Sequence, residues 1–200
     1  MVSVHLSAEL SGTYDAAVLA AGEVGGEGIA VRVVDSRMLA MGLGFSVVAA
    51  AQAAAAGGGV EQVVAAAVEC AARTDMVFYV DTLEHLRRGG RIGAAAALVG
   101  AALAVKPLLH VTDGKIAPLE KVRTASKALA RLEDIAVARA ADGPVDLAVH
   151  HLRTADKASA LLERLRARIP ALVSSHVSEV GAVVGAHVGP GLLGVVVSRR

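Results

Sequence analysis

Short apolar runs and longer alanine-rich segments alternate through the first third of the chain, and this order restricts the fold more than any other feature. Residues 2–6 and 29–34 are typical of strands, and a segment of helical character follows each of them. Strands joined by helices long enough to cross over are typical of a parallel sheet. We therefore predict helices that end near residue 21 and that cover 39–56 and 60–73, with a glycine-rich loop at 22–28.

The pattern changes after residue 73. Two short runs flank Asp113-Gly114, a dipeptide that favours a β-hairpin. We expect an α/β chain of two domains: residues 1–73 with part of a parallel sheet, and residues 74–200 with a mixed or antiparallel sheet. The predicted strands are 76–80, 108–112, 115–121, 145–150, 173–177, 181–187 (with a helix as the alternative) and 192–198. The predicted helices are 82–88, 92–103, 125–141 and 154–168.

The composition excludes several classes of partner. Hydrophobic residues make up 54% of the chain, yet only two Tyr and two Phe are present, so aromatic platforms for single-stranded nucleic acid are nearly absent. The net charge of +1 gives no basic surface for DNA or for an anionic membrane. The longest apolar stretch, 92–105, is shorter than the about 20 residues of a spanning helix, so we expect no stable membrane insertion. The one cysteine, Cys70, is interpreted as a buried thiol in a cytoplasmic protein.

Three polar, glycine-bearing turns interrupt this apolar chain and hold the candidate site residues. In the first, the hydroxyls of Ser7, Ser11 and Thr13 follow a strand and precede a helix. They could donate to an anion together with the first free N–H groups of the helix, and simple N-capping is the alternative. In the last, His187 precedes Gly-Pro-Gly, a rigid setting for a hydrogen-bond donor or a general base.

Two arginines complete the candidate set. Arg91 follows Gly89-Gly90, where glycines let another group approach closely, and a solvated basic turn is the alternative interpretation. Arg123 lies between a strand and the start of a helix, where the helix dipole favours a negative charge and not a cation. Both residues are candidates for binding an anion or a partner.

The motifs that are missing from the sequence exclude other chemistry. No P-loop and no GxGxxG after a strand occur, so the chain shows no obvious means of binding ATP or NAD. No histidine and cysteine set has the spacing of a zinc site, and no GxSxG marks a nucleophilic serine. We therefore expect neither a metal nor a cofactor.

Taken together, the polar segments resemble those of the DegV family. They follow the family's order and extend over nearly the whole chain. The matching segments are Ser7-Ala-Glu-Leu-Ser-Gly-Thr-Tyr14, Val33-Val-Asp-Ser36, Asp81-Thr-Leu83, Leu86-Arg-Arg-Gly-Gly-Arg-Ile92, Lys106-Pro107, Asp113-Gly114, Lys121-Val-Arg123 and His187-Val-Gly-Pro-Gly191.

The resemblance implies a two-domain, DegV-like α/β fold that holds one long-chain fatty acid in an apolar tunnel between the domains. It also implies that the protein is a non-catalytic subunit, which presents the carboxylate to a separate ATP-binding fatty acid kinase subunit that makes acyl phosphate. By motif position, Ser7, Ser11, Thr13 and His187 would bind the carboxylate. Arg91 and Arg123 would hold the head group or contact the kinase.

The chain departs from the family pattern at its start. Family members usually carry about 80 more residues before the first strand, which supply part of the first sheet and a further hydroxyl, so we interpret the first domain as truncated. Two alternatives to a fatty-acid carrier remain. One is an acyl hydrolase that uses Ser11 and His187, and the other is a regulatory domain whose turns only cap helices.

Overall fold

The computed structural model of the chain describes residues 1–25, 28–98 and 106–200. It divides into two compact units, Met1–Thr74 with Asp113–Lys115, and Asp75–Thr112 with Ile116–Arg200. The fold is α/β, with a small parallel sheet of two strands and a mixed sheet of six strands. The fold class predicted from the sequence is therefore confirmed.

The first unit joins a two-stranded parallel sheet to three helices. Its elements are β1 (Val2–His5), α1 (Thr13–Gly25), β2 (Arg32–Asp35), α2 (Ala40–Ala55) and α3 (Val60–Ala72). The register of β1 and β2 pairs Val2 with Arg32 and His5 with Asp35. Short side chains, Val34, Ala50 and Ala67 among them, fill the core between this sheet and α2 and α3. Because these side chains are small, the alanine-rich helices can pack closely.

Helix α1 is longer than the sequence predicted. It continues through Gly22 to Gly25, so the predicted loop is wrong for residues 22–25, while 26–27 lie outside the described residues. A glycine in a helix interior costs only about 1 kcal/mol relative to alanine, which weakens a helix without ending it. The helix between residues 40 and 55 ends as predicted, since Gly57 takes a φ of 84° just beyond it.

The second unit is built on the six-stranded sheet, whose order is β5-β4-β3-β8-β6-β7. Its strands are β3 (Thr74–Tyr79), β4 (Lys106–Thr112), β5 (Lys115–Val122), β6 (Val145–His151), β7 (Leu172–Glu179) and β8 (Leu193–Arg199). Its helices are α4 (Glu84–Arg88), a 3-10 helix (Gly93–Leu98), α5 (Ala125–Ala140), α6 (Ala155–Arg168) and α7 (Ala182–Val188). Strand β6 is antiparallel to β8 and parallel to β7, and β3 is antiparallel to β4.

The core of this unit lies where α5 and α6 cover one face of the sheet. Leu132 and Leu165 from the helices and Leu147 from β6 are among its fully buried side chains. A carboxylate also lies in this helix layer: Glu133 is 8% exposed and accepts hydrogen bonds from Arg164 at 2.7 Å and Arg168 at 2.8 Å. Glu133 therefore ties α5 to α6 by charge as well as by packing.

Two predictions for the second unit need correction. Residues 182–188 form helix α7, which was the alternative to the strand predicted there. The apolar helix predicted at 92–103 is a 3-10 helix where it is described, and residues 99–103 lie outside the described residues. It begins at Gly93, whose φ of 54° is left-handed and whose Cα faces the carbonyl of Ile116 too closely for any Cβ. Only glycine is therefore accommodated at this position.

Among the described residues, no helix combines the length and the apolar character needed to cross a bilayer.

Candidate functional site

The hydroxyls at the start of the chain lie in one loop of the first unit, between β1 and α1. Ser7 is fully buried, and its hydroxyl donates to the carbonyl of Gly114 at 2.7 Å. Its backbone N–H donates to the carbonyl of Met38, and its own carbonyl accepts from Leu10 and Ser11. The single proton of the Ser7 hydroxyl is thus already donated within the unit, so binding a carboxylate would require this bond to break.

Ser11 and Thr13 are more accessible than Ser7. The hydroxyl oxygen of Ser11 accepts from the backbone N–H of Thr13 at 3.3 Å and from its hydroxyl at 3.2 Å. Ser11 thus satisfies the N–H of Thr13, the first residue of α1, which is the kind of bond expected if these hydroxyls cap the helix. Since the first N–H groups of a helix and two small hydroxyls meet here, the loop also offers donors of the kind that an anion binds.

The Asp113-Gly114 turn is held against this loop within the first unit. Both turn residues have positive φ, 51° and 77°, which is typical of the type I′ turn of a two-residue hairpin. The guanidinium of Arg37 donates to the carbonyl of Asp113 at 2.9 Å, and Lys115 pairs with Glu9 at 3.3 Å. A Cβ on Gly114 would lie 2.5 Å from the Ser7 hydroxyl oxygen. Glycine is therefore needed there both for its φ and for space.

His187 lies in the last turn of α7 in the second unit, with its ring against Gly89, the residue after α4. A Cβ on Gly89 would lie 2.8 Å from the Cε1 atom of the ring and nearer still to Nδ1. The Nδ1 atom is buried and has no hydrogen-bond partner among the described residues. This nitrogen is therefore an unsatisfied polar atom that packs directly against Gly89.

The contact between α4 and α7 has a second half. His85 of α4 packs its ring on Gly189, and a Cβ there would lie 2.6 Å from Nε2. Each helix thus places a histidine on the glycine that follows the other helix. Gly189 also has a φ of 74°, so only glycine satisfies both the conformation and the space at this position.

An acidic side chain lies beside the same turn. The Tyr79 hydroxyl donates to Oδ1 of Asp81 at 2.6 Å, and Oδ2 of Asp81 occupies the space that a Cβ on Gly191 would need. Burial of Tyr79 raises the pKa of its hydroxyl, and the hydrogen bond to Asp81 and its negative charge raise it further. The phenol therefore remains a protonated donor across the physiological range.

The contacts of His187 with Gly89 and of His85 with Gly189 form the α4–α7 cluster. Arg91 belongs to it, since its Nη1 atom donates to the carbonyl of Gly89 at 2.9 Å. The neighbouring Arg87 and Arg88 instead bind Glu84. The hydrogen bond from Arg87, assisted by Arg88, lowers the pKa of the Glu84 carboxyl to about 2. Glu84 therefore balances one of the three positive charges of this basic turn, which the spacing of its residues did not indicate.

Arg123 is placed apart from these groups along the chain. It is exposed between β5 and α5, one residue before Thr124, the N-cap of α5. The Thr124 hydroxyl accepts from the backbone of Lys127, so the cap is supplied by the threonine and not by Arg123. The side chain is therefore open to solvent.

The structure thus brings the predicted residues together in two groups. Ser7, Ser11 and Thr13 share one loop of the first unit, and His187 and Arg91 share the α4–α7 cluster of the second. Their assignment to a carboxylate or a kinase stays a prediction. Sequence reasoning missed Tyr79, His85 and Asp81, which surround the histidine-bearing turn. Asp81 lies in a segment that matches the family pattern, and this was the one signal for it.

No three His, Cys, Asp or Glu side chains come together in a way that could hold a metal ion, within the part of the chain that the structure describes.

Comparison with known proteins decides the family. The family model of the DegV family, described as uncharacterised proteins, matches residues 1–200. A DegV domain-containing protein of Streptomyces coelicolor is 66% identical over 200 residues, which are all of this chain and 70% of that protein. The chain belongs to the DegV family.

Solved DegV structures share the fold. A DegV family protein from Thermus thermophilus, described by its fatty acid binding, matches with a TM-score of 0.92 and 32% identity, over all of this chain and 70% of that one. DegV from Bacillus subtilis, described as a fatty acid binding protein, matches with a TM-score of 0.87 and 33% identity, over the same shares. Two solved DegV relatives of this chain therefore bind fatty acids.

Proposed function

We propose that this DegV chain binds one long-chain fatty acid and is not itself a catalyst. The observation that supports the proposal is the match, at 32% and 33% identity, to two structures of fatty-acid-binding relatives, over all of this chain and 70% of each of theirs. A similar fold alone would not establish a function. Here, however, the relatives belong to the same family, and both bind the same class of ligand.

The chemistry of the chain suits such a ligand. Burying each methylene contributes about 0.8 kcal/mol, so roughly 14 methylenes supply about 11 kcal/mol before the cost of association. A buried carboxylate without partners would remove several kcal/mol of this, so donors are needed at the head group. His187 offers a buried Nδ1 atom with no partner among the described residues, and Ser11 and Thr13 offer hydroxyls at a helix start. We propose these residues as head-group ligands, with the acyl chain in the tunnel that the resemblance implies.

We further propose that the chain presents the carboxylate to a separate ATP-dependent kinase subunit, which forms the acyl phosphate. The sequence contains no P-loop and no dinucleotide motif, so a second subunit would supply the nucleotide. Arg91, beside the cluster that holds His187, and the exposed Arg123 are the proposed contacts for the head group or for that subunit.

The decisive experiment is native mass spectrometry of the full-length gene product purified from a bacterial host. We expect a mass increase that matches one long-chain fatty acid, and extraction with solvent should remove it. Protein that is repeatedly empty, and that also fails to take up added fatty acid, would reject the proposal.

The acyl hydrolase alternative receives no support from the Ser11 geometry. A serine nucleophile donates its hydrogen bond to a base, whereas the bonds described at the Ser11 hydroxyl are ones that its oxygen accepts from Thr13. Turnover of acyl esters that disappears in Ser11→Ala would nevertheless restore this alternative.

A further inference from the structure

Asp81 is held both at its carboxylate and at its backbone, although the residue is exposed. Tyr79 donates to its Oδ1 atom at 2.6 Å, and the ammonium of Lys106 donates to its backbone carbonyl at 2.9 Å. Tyr79 is 3% exposed, so this partner is itself fixed in the core of the sheet. An exposed acidic side chain without a role would lose rotamer freedom here for little gain.

The other oxygen of this carboxylate reaches the turn that follows α7. It lies where a Cβ on Gly191 would be, and the Cγ atom of Asp81 is 2.7 Å from that position. Gly191 has a φ of 89°, and its N–H donates to the carbonyl of Leu152 at 3.1 Å. The turn thus has its own backbone bond on one side and packs against the Asp81 carboxylate on the other.

The position of this turn determines the position of His187. Gly189 closes α7 through a bond from its N–H to the carbonyl of Gly185 at 2.9 Å, and His187 lies two residues before it. Because α7 has only seven residues, its last turn depends on what holds the chain beyond it. A shift at Gly191 would therefore move the imidazole away from Gly89.

We propose that Asp81, held by Tyr79, is a positioning residue that fixes the Gly189–Gly191 turn and so sets the orientation of the His187 imidazole over Gly89. It acts through His187 and does not itself contact the ligand. Only the ligand-binding measurement below rests on the proposed function.

The first test uses NMR on the full chain without added ligand, after removal of any bound lipid. The ring current of His187 falls on the two Hα atoms of Gly89, and His187→Ala gives the reference shift without it. We expect Asp81→Ala and Tyr79→Phe to move both Gly89 resonances toward that reference. Asp81→Asn should keep them near the wild-type values, since the amide retains the shape and an acceptor for Tyr79. Unchanged Gly89 resonances in Asp81→Ala would overturn the proposal.

A matched control separates this effect from a general loss of charge. Asp156 is an exposed carboxylate on α6, and Asp156→Ala should leave the Gly89 resonances unchanged. Equal shifts in Asp156→Ala and Asp81→Ala would contradict a local positioning role.

The second test measures the affinity for palmitic acid by calorimetry in a double-mutant cycle. We expect Asp81→Ala to weaken binding about 5-fold in the wild-type background and less than about 2-fold in the His187→Ala background, because coupled residues are not additive. Equal losses in both backgrounds would overturn action through His187. If His187→Ala itself leaves palmitic acid affinity unchanged, the head-group role in the proposed function is rejected, and the Gly89 resonances alone decide the positioning role.

Discussion

Alanine at Gly89 should destabilise the protein only while the His187 ring is present. The backbone of Gly89 is right-handed helical, with φ of −76° and ψ of −6°, so alanine fits it without strain. By its effect on the unfolded chain alone, such a substitution would stabilise the protein by about 0.4–1 kcal/mol. The added Cβ, however, would lie 2.8 Å from the Cε1 atom of His187, below the range of real Cβ contacts.

The size of the effect follows from this overlap. Forcing an extra carbon into a filled space costs typically about 1–3 kcal/mol, which outweighs the gain from the unfolded state. In the His187→Ala background, the tightest neighbour that remains is the carbonyl oxygen of His85, 3.2 Å from the Cβ position. That contact needs a shift of only a few tenths of an ångström. We therefore expect Gly89→Ala to cost about 1–2 kcal/mol with the ring present and close to zero without it.

The assay is urea unfolding of four proteins: the wild type, Gly89→Ala, His187→Ala and the double variant. Their free energies of unfolding are compared where the dependence on urea concentration, the m value, is the same. Gly90→Ala is the control, because its Cβ would meet no atom within 4 Å but its φ is 69°. It should cost about 1–2 kcal/mol in both backgrounds, through backbone strain alone. If Gly89→Ala also costs the same with and without the His187 ring, the ring does not pack on Gly89 and the cluster is wrongly described.

Three further predictions concern residues outside this contact. Ser7→Ala should lower the free energy of unfolding by about 1–3 kcal/mol, because it leaves a buried carbonyl without its donor; Ser11→Ala should cost about 0.5–1 kcal/mol as a lost cap, and equal costs would contradict the buried role. Burial alone would raise the pKa of Glu133, but its two arginine hydrogen bonds outweigh burial and the pKa is lowered. Its stabilising effect is therefore complete at neutral pH and is lost as the pH falls from the ordinary glutamate pKa through the lowered one. The free energy of unfolding should therefore depend less on pH below the ordinary glutamate pKa in Glu133→Gln than in the wild type. If the proposed kinase subunit docks here, Arg91→Ala and Arg123→Ala should reduce its formation of acyl phosphate more than they reduce fatty acid affinity, and equal losses in both assays would contradict a docking role.

Local patterns predicted most of the fold. The strands and helices of the first unit follow from the alternation of short apolar runs with alanine-rich segments. The hairpin follows from Asp113-Gly114, whose positive φ values are the ones this dipeptide accepts most readily. The sequence did not determine where α1 ends. The helix continues to Gly25 because glycine lowers helix stability without blocking a hydrogen bond.

The sequence identified the polar residues as candidates, but it did not indicate which groups each of them contacts. Ser7 and Ser11 look alike in the sequence, yet one hydroxyl is buried against Gly114 and the other caps a helix at the surface. The difference depends on the Asp113-Gly114 turn, which is more than 100 residues away along the chain. Local residue types carry no information about such a partner. Tyr79 and Asp81 were missed for the same reason, since the role of Asp81 depends on Gly191.

The Gly89-Gly90 and Gly189-Pro190-Gly191 turns have the same structural role, since each follows one of two short helices that contact each other. Helix α4 has five residues and α7 has seven, and isolated helices of this length are not stable in water. Each is held by the histidine of the other, since His187 packs on Gly89 and His85 packs on Gly189. The stability of α4 and the position of the His187 ring therefore depend on the same contacts. A substitution that loosens either helix should release the imidazole as well. Both glycine turns are therefore required for the same α4–α7 cluster, although 100 residues of chain separate Gly89 from Gly189.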